Sequence, residues 1–512
     1  MVVGIATLSC VLSACSGGGG GASDSAAGAP RPGGDLVMLR NEDVTSLLPT
    51  AVTNNPDIWA QENIFDTLLV PTKDGKGVSP SLATDYKESG DHLSWTFHLR
   101  EGVKFSDGTP MTSKDVKWSL DQASDPKTPF GFINSAIKKV VATDPSTVVI
   151  HTKQPWAPIP SDMALFSNSV VPANYGGKPA SEFAEHPVGT GPFKFDSWTK
   201  GQDLKLVKNP NYWQSGKPYL NSVDFRVVAS DNTRALQIQG RQAQINEFPA
   251  WSSVAALKKS PTVKVGLFES SHVDYLSMNN KRAPFTDVHV RRAISYAIDR
   301  QALVKDVLYG NGTVANAYLT PALWGHDENL KGISYDMTKA KQELAQSSVP
   351  NGFSTTVTID AGDADRSAMA QILQKSLAAL NIKVTIRQAD PSAVTAAEHS
   401  ANFDMVFTYC TTDIVDPDEI IRFVADFNGG AHSEYSQYDN PQVAKMIDQA
   451  AQITDQGQRK ALYDKVQEQF DADQPAAPLY YTPSVYSYGS NVHGFTTLPT
   501  GNYTLSDTWL SK

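Results

Sequence analysis

The chain has 512 residues, 44 Lys+Arg against 54 Asp+Glu (formal net charge −10), with 40% hydrophobic and 19% charged residues. It is too apolar for a disordered polymer and too polar for a polytopic membrane protein. The acidic balance excludes nucleic acid as the main partner, and three cysteines are too few for a disulfide framework.

Residues 2–14, VVGIATLSCVLSA, form one apolar run ending in small residues. As a helix it would span ~20 Å, short of the ~30 Å hydrocarbon core, so it reads as a signal peptide over 1–14 rather than a membrane span. No Lys or Arg precedes it. Leu12-Ser13-Ala14-Cys15 resembles a bacterial lipobox, which implies cleavage before Cys15 and lipid on its sulfur. The Gly/Ser/Ala-rich stretch over 15–34 then serves as a flexible tether. More than one acyl chain would hold the protein at the outer face of the cytoplasmic membrane. With Cys10 removed and Cys15 acylated, only Cys410 remains, so no intramolecular disulfide forms.

The mature chain reads as mixed α/β. LVML (36–39) predicts a strand. Leu93, Trp95, Phe97 and Leu99 alternate with polar residues, the period of a half-buried strand, with turns at Glu101-Gly102 and Asp107-Gly108. Thr112-Ser113 caps a helix carrying Val116, Trp118 and Leu120. Residues 193–208 predict a hairpin turning at Lys200-Gly201, with Phe193 and Phe195 on one arm and Leu204 and Leu206 on the other. Strands follow at 223–228 and 263–268, around a helix near Arg234–Gly240.

Over 287–309, Val290, Ile294, Ala297, Ile298, Val304, Val307 and Leu308 predict one helical stripe, capped by Asp287 and stopped by Gly310. Residues 354–360, a helix with Met369, Ile372, Leu373, Leu377 and Leu380, and residues 382–388 make a βαβ unit, so part of the sheet is parallel. Helices follow at 441–453 and 457–472, then aromatic strands over 478–489. No repeat of solenoid length is present.

Enzyme signatures fail one by one. Ser230-Asp231-Asn232 matches one β-lactamase element, and S-x-x-K occurs at Ser124–Lys127, Ser135–Lys138 and Ser197–Lys200, but no K-T-G follows. There is no G-x-S-x-G, no H-E-x-x-H and no phosphate loop. The ten His show no metal-ligand spacing, and Asp360, Asp363 and Asp365 lack the Gly and distal Glu of a calcium loop. We expect no catalysis, no cofactor and no metal.

Six blocks, in order, carry a resemblance over roughly 35–510. They are IFDTLL (64–69), the run over 81–120, PVGTGPFKF (187–195), LVKNPNYW (206–213), VDYLSMNNKRAPFTDVHVRRAISYAIDR (273–300) and FDMVFTYCTTDIVDPD (403–418), with VHGF (492–495) after them. The chain resembles the family 5 extracellular solute-binding proteins, the oligopeptide-, dipeptide- and nickel-binding components of ABC importers. The resemblance implies a two-lobed, hinged trap in its large three-domain variant. Domain I would comprise 35–69, 186–282 and 487–512, domain II 70–185, and domain III 283–486. It implies a monomer, lipid-anchored on the extracellular face, that passes a small ligand to a permease with ATPase subunits.

The favoured ligand is a short peptide; a metal chelate, an oligosaccharide or an opine-like compound is the alternative. The family places an Asp opposite the ligand ammonium in a W-x-x-D-x-x-D-P-like motif, which falls here on Cys410-Thr411-Thr412-Asp413-Ile414-Val415-Asp416-Pro417, making Asp413 the expected counter-ion. Cys410 stands where the family has Trp, with Tyr409 beside it, which implies a roomier cleft. Thr53-Asn54-Asn55 would face this loop and hydrogen-bond an extended ligand, or form an ordinary polar turn. Trp59 and Trp251 are candidates for cleft aromatics, with core packing as the other reading. Thr190-Gly191 is read as a tight backbone path near the hinge.

Overall fold

The computed structural model describes residues 28–52, 54–429 and 435–512; Cys15 and Thr53 lie outside them. Three sheets organise the chain. A seven-stranded sheet runs Val263–Phe268, Ser484–Gly489, Ile245–Glu247, Asp35–Arg40, Ser222–Val227, Asp203–Lys208, Phe193–Thr199. A six-stranded sheet runs Thr313–Val314, Ala476–Tyr481, Val273–Met278, Met405–Cys410, Ser354–Asp360, Lys383–Ala389. A four-stranded antiparallel sheet holds Ala83–Glu88, Ser94–Leu99, Thr147–Thr152 and Ile137–Asp144. The two large sheets are mixed: Asp35–Arg40 pairs parallel with Ser222–Val227, and Ser354–Asp360 parallel with Lys383–Ala389, while the hairpins are antiparallel.

Each sheet covers its own core. Leu36, Met38, Phe193, Phe225 and Tyr486 pack under the first, Leu276, Ile294, Leu373, Met405 and Leu479 under the second, and Trp95, Phe97, Val116, Leu120 and Ile150 under the third. The period-two strand is observed as Ser94–Leu99, with Trp95, Phe97 and Leu99 inside. The capped helix is Ser113–Ala123; Asp115 accepts the Thr112 backbone N–H at 2.8 Å. Its Trp118 leaves the Val116/Leu120 face and meets Tyr175 edge-on in the first core. Two positions apart on a helix is about 200° of rotation, so the two faces serve two cores.

The single helix expected over 287–309 is two helices, Val288–Ala297 and Arg300–Asp306. The stripe is real, but Ile298 is extended and Asp299 caps the second helix by accepting from the N–H of Ala302. Arg300 is buried and donates to the carbonyls of Ser295 and Pro478, which pins the break to the neighbouring strand. A hydrophobic pattern continues through such a break because both helices pack on the same sheet.

The chain crosses between the large sheets twice. It leaves the seven-stranded sheet after Phe268 and joins the six-stranded sheet at Val273, then returns between Tyr481 and Ser484. The aromatic run over 478–489 is therefore split between two sheets. Contacts also cross the junction: Ile414 packs into the first core and Trp251 against the second. No helix among the described residues is long and apolar enough to cross a membrane.

Candidate ligand-binding site

Both crossovers border one cavity of about 780 Å³, a size typical of a small-molecule site. Ser270, His272, Thr482 and Pro483 from the crossovers line it. Asn55, Trp59, Arg234 and Trp251 line it from one side, Asp363, Asp365 and Thr411 from the other, and Thr500 and Gly501 close one end.

The expected site residues divide between this wall and its supports. Asn54 is the N-cap of helix Asn55–Gln61: its Oδ1 accepts from the Asp57 N–H at 3.0 Å, and its Nδ2 donates to the Asp57 carboxylate. Those bonds take its polar atoms, while the neighbouring Asn55 is exposed on the cavity. Trp59 belongs to the helix Asn55–Gln61 as well. It is buried, stacked on Phe248 with centroids 5.4 Å apart, and one face lines the cavity. Its Nε1 is buried without a hydrogen-bond partner. Trp251 opens helix Trp251–Lys258 at the cavity wall.

Along the 409–413 segment only Thr411 lines this cavity. Tyr409 is 48% exposed, stacks on His272 at 4.6 Å, and borders a separate hollow of about 190 Å³. Cys410 is buried in a core with Tyr275 and Ile420, so the small side chain there does not widen the main cavity. Thr412 is buried; its N–H donates to Ser271 Oγ at 3.1 Å. Asp413 is half-buried, and no described residue bonds its carboxylate. Asp416 forms a two-pronged pair with Arg459 at 2.7 Å, a loop-shaping role.

The electrostatics converge on Asp413. Burial, then the charges of Glu419 and Glu62, hold its carboxyl well above the usual range. Burial raises Glu62 to about 8, although Asn502 Nδ2 donates to it at 2.8 Å. Burial also raises Glu419. Glu62 follows the helix packed in the first core and Glu419 sits on helix Asp418–Ala425 beyond the junction. Carboxylates crowded from both sides, with no lysine or arginine bonded to Asp413, make a place that favours an incoming cation. Nothing in the spacing of Glu62 and Glu419 singles them out in sequence; folding alone brings them beside Asp413. The motif Ser230-Asp231-Asn232 is a helix start, with Ser230 as cap and Asp231 paired to Arg234.

Comparison with known proteins decides the family. Residues 77–431 match the bacterial extracellular solute-binding proteins, family 5 Middle. The chain belongs to this family. It is 31% identical over 483 residues to the glutathione-binding protein GsiB of Escherichia coli O1:K1 / APEC, covering 92% of this chain and 94% of that one. Its fold superposes on the periplasmic binding protein DppA from Helicobacter pylori in complex with the peptide STSA at TM-score 0.82, with 30% identity over 94% of this chain and 99% of that one. AgaA from A. tumefaciens R10 in complex with agropinic acid matches at TM-score 0.81, with 26% identity over 94% and 99%. The fold is thus the two-lobed binding-protein fold, and the family 5 chain is a solute-binding component of ABC importers. Its homologues are substrate-binding proteins rather than enzymes, working outside the cytoplasmic membrane.

Proposed function

We propose that this family 5 protein captures short peptides with a free amino terminus and hands them to a permease driven by ATPase subunits. The single observation that carries this reading is the Asp413 carboxylate, unpaired and crowded by Glu62 and Glu419, two residues along the chain from Thr411 in the wall of the 780 Å³ cavity. A peptide ammonium would neutralise that cluster through a charge-assisted hydrogen bond worth about 1.5–3 kcal/mol. Asn55 and Thr411 would serve the ligand's backbone, and Trp59 its apolar surface. Ligand contacts to both lobes would select the closed state by differential affinity.

The relatives support the class: glutathione and STSA both carry an ammonium beside peptide groups. The AgaA likeness favours an opine-like compound as second reading. We further propose that lipid on Cys15 tethers a monomer to the outer face of the cytoplasmic membrane. The test is a thermal-shift panel. Tripeptides should raise the melting temperature, whereas a rise only with opines, sugars or nickel chelates would replace the peptide reading.

A further inference from the structure

A second cavity of about 310 Å³ lies where the four-stranded-sheet region meets the second lobe. It adjoins the ammonium site, because its liner Glu419 accepts the backbone N–H of Asp413 at 2.8 Å and Ile414 is also in its wall. Four carboxylates line it, Asp162, Asp418, Glu419 and Asp448, against one cation, Arg422. That guanidinium is already committed to Asp418 at 2.7 Å and Asp448 at 2.8 Å. It leaves Nη2 without a partner, a donor suited to a cargo carbonyl.

Glu419 is the telling residue. It is 3% exposed; Oε2 takes the Thr412 hydroxyl and the N–H groups of Asp413 and Ile414, and Oε1 has no partner. A buried carboxylate oxygen left empty costs free energy unless something fills it. Phe132 and Phe423 supply apolar and π surface and meet across the gap at 5.3 Å, and Trp156 adds a wall with the Arg422 guanidinium over one face of its ring at 5.2 Å. Aromatic faces beside carboxylates suit a cation on an apolar stem. Among the described residues no group of three or more His, Cys, Asp or Glu is placed to hold a metal ion.

We infer that the smaller cavity selects a basic side chain on the first residue of the cargo, its ammonium or guanidinium pairing with Glu419 Oε1 over the Trp156 wall. This rests on the peptide reading, with the amino terminus at Asp413.

The experiment is isothermal titration of wild-type protein with Lys-Ala-Ala, norleucyl-Ala-Ala, Ala-Ala-Lys and tri-alanine. Lys-Ala-Ala should bind at least about ten-fold tighter than its norleucyl isostere, and Ala-Ala-Lys should gain nothing over tri-alanine. Glu419→Gln should bring the lysyl-to-norleucyl ratio toward one. Trp156→Leu, which leaves the Glu419 bonds intact, should lower the same ratio should the first variant fail to fold. Equal affinity for lysyl and norleucyl peptides, or equal gain from a carboxy-terminal lysine, overturns the inference and leaves the peptide reading standing. Binding of none of the peptides overturns both.

Discussion

Glu419 holds the backbone of Asp413: one carboxylate oxygen accepts the Asp413 N–H at 2.8 Å, and the same oxygen takes the Ile414 N–H and the Thr412 hydroxyl. The clamp presents the Asp413 side chain with no described partner while adding charge next to it. A ligand ammonium must therefore displace protons that this crowding retains. Titration of tri-alanine near neutral pH should release up to about one proton per ligand. Apparent enthalpies in phosphate and Tris would then differ in proportion to buffer ionisation heat, and affinity would rise with pH. Identical enthalpies in the two buffers would count against an ammonium at this cluster.

Glu62 gives the empty protein a pH signature of its own. Its folded value, about 8, exceeds the ordinary 4.5. The folded chain thus binds the proton more tightly than the unfolded chain, and this site's contribution to stability falls as pH rises from about 4.5 to about 8. Glu62→Gln keeps an acceptor for Asn502 and removes that loss. Its melting temperature should match wild type at pH 4, exceed it progressively through pH 6 and 7, and level off above pH 8.

The first lobe hides an ion pair next in the chain to Asn41 and Phe248, which line the cavity. Arg40 and Glu247 are 1% and 2% exposed and bonded at 2.9 Å, with the Tyr503 hydroxyl donating to Glu247. Glu247→Ala would strand a buried guanidinium, at a cost of about 3–5 kcal/mol. Urea denaturation should show a correspondingly lower midpoint, with the loss absent from a variant of the exposed pair such as Lys200→Ala.

The tight path read at Thr190-Gly191 is visible as backbone against backbone. A Cβ on Gly189 would lie 2.1 Å from the Ile64 carbonyl oxygen, and one on Gly191 2.6 Å from the Ile64 carbonyl carbon. Neither neighbour is a flexible side-chain tip. Gly189→Ala should cost at least about 1–3 kcal/mol in thermal unfolding, whereas Gly77→Ala, with open space around it, should be near neutral.

Local periodicity made the strand at 94–99, the helix at 113–123 and the βαβ unit of the second sheet legible, because one face of each is buried by neighbours of its own region. It failed at Asp299, where a cap and the buried Arg300 break a continuous stripe, and at Thr482-Pro483, where one aromatic run serves two sheets. The resemblance supplied the family and pointed to Asp413. It did not supply Glu62 or Glu419, which are 357 residues apart and acquire meaning only when the lobes meet. Asn54 was a fair candidate by type, but its cap bonds take the polar atoms a ligand would need.

The proposed function places a free amino terminus at Asp413. Isothermal titration of tri-alanine and N-acetyl-tri-alanine into wild type and Asp413→Asn is the decisive experiment. Acetylation should weaken wild-type binding about ten-fold or more, and the variant should lose affinity for the free amine while barely changing for the acetylated peptide. Equal losses for both peptides, or no penalty for acetylation in the wild type, would contradict it.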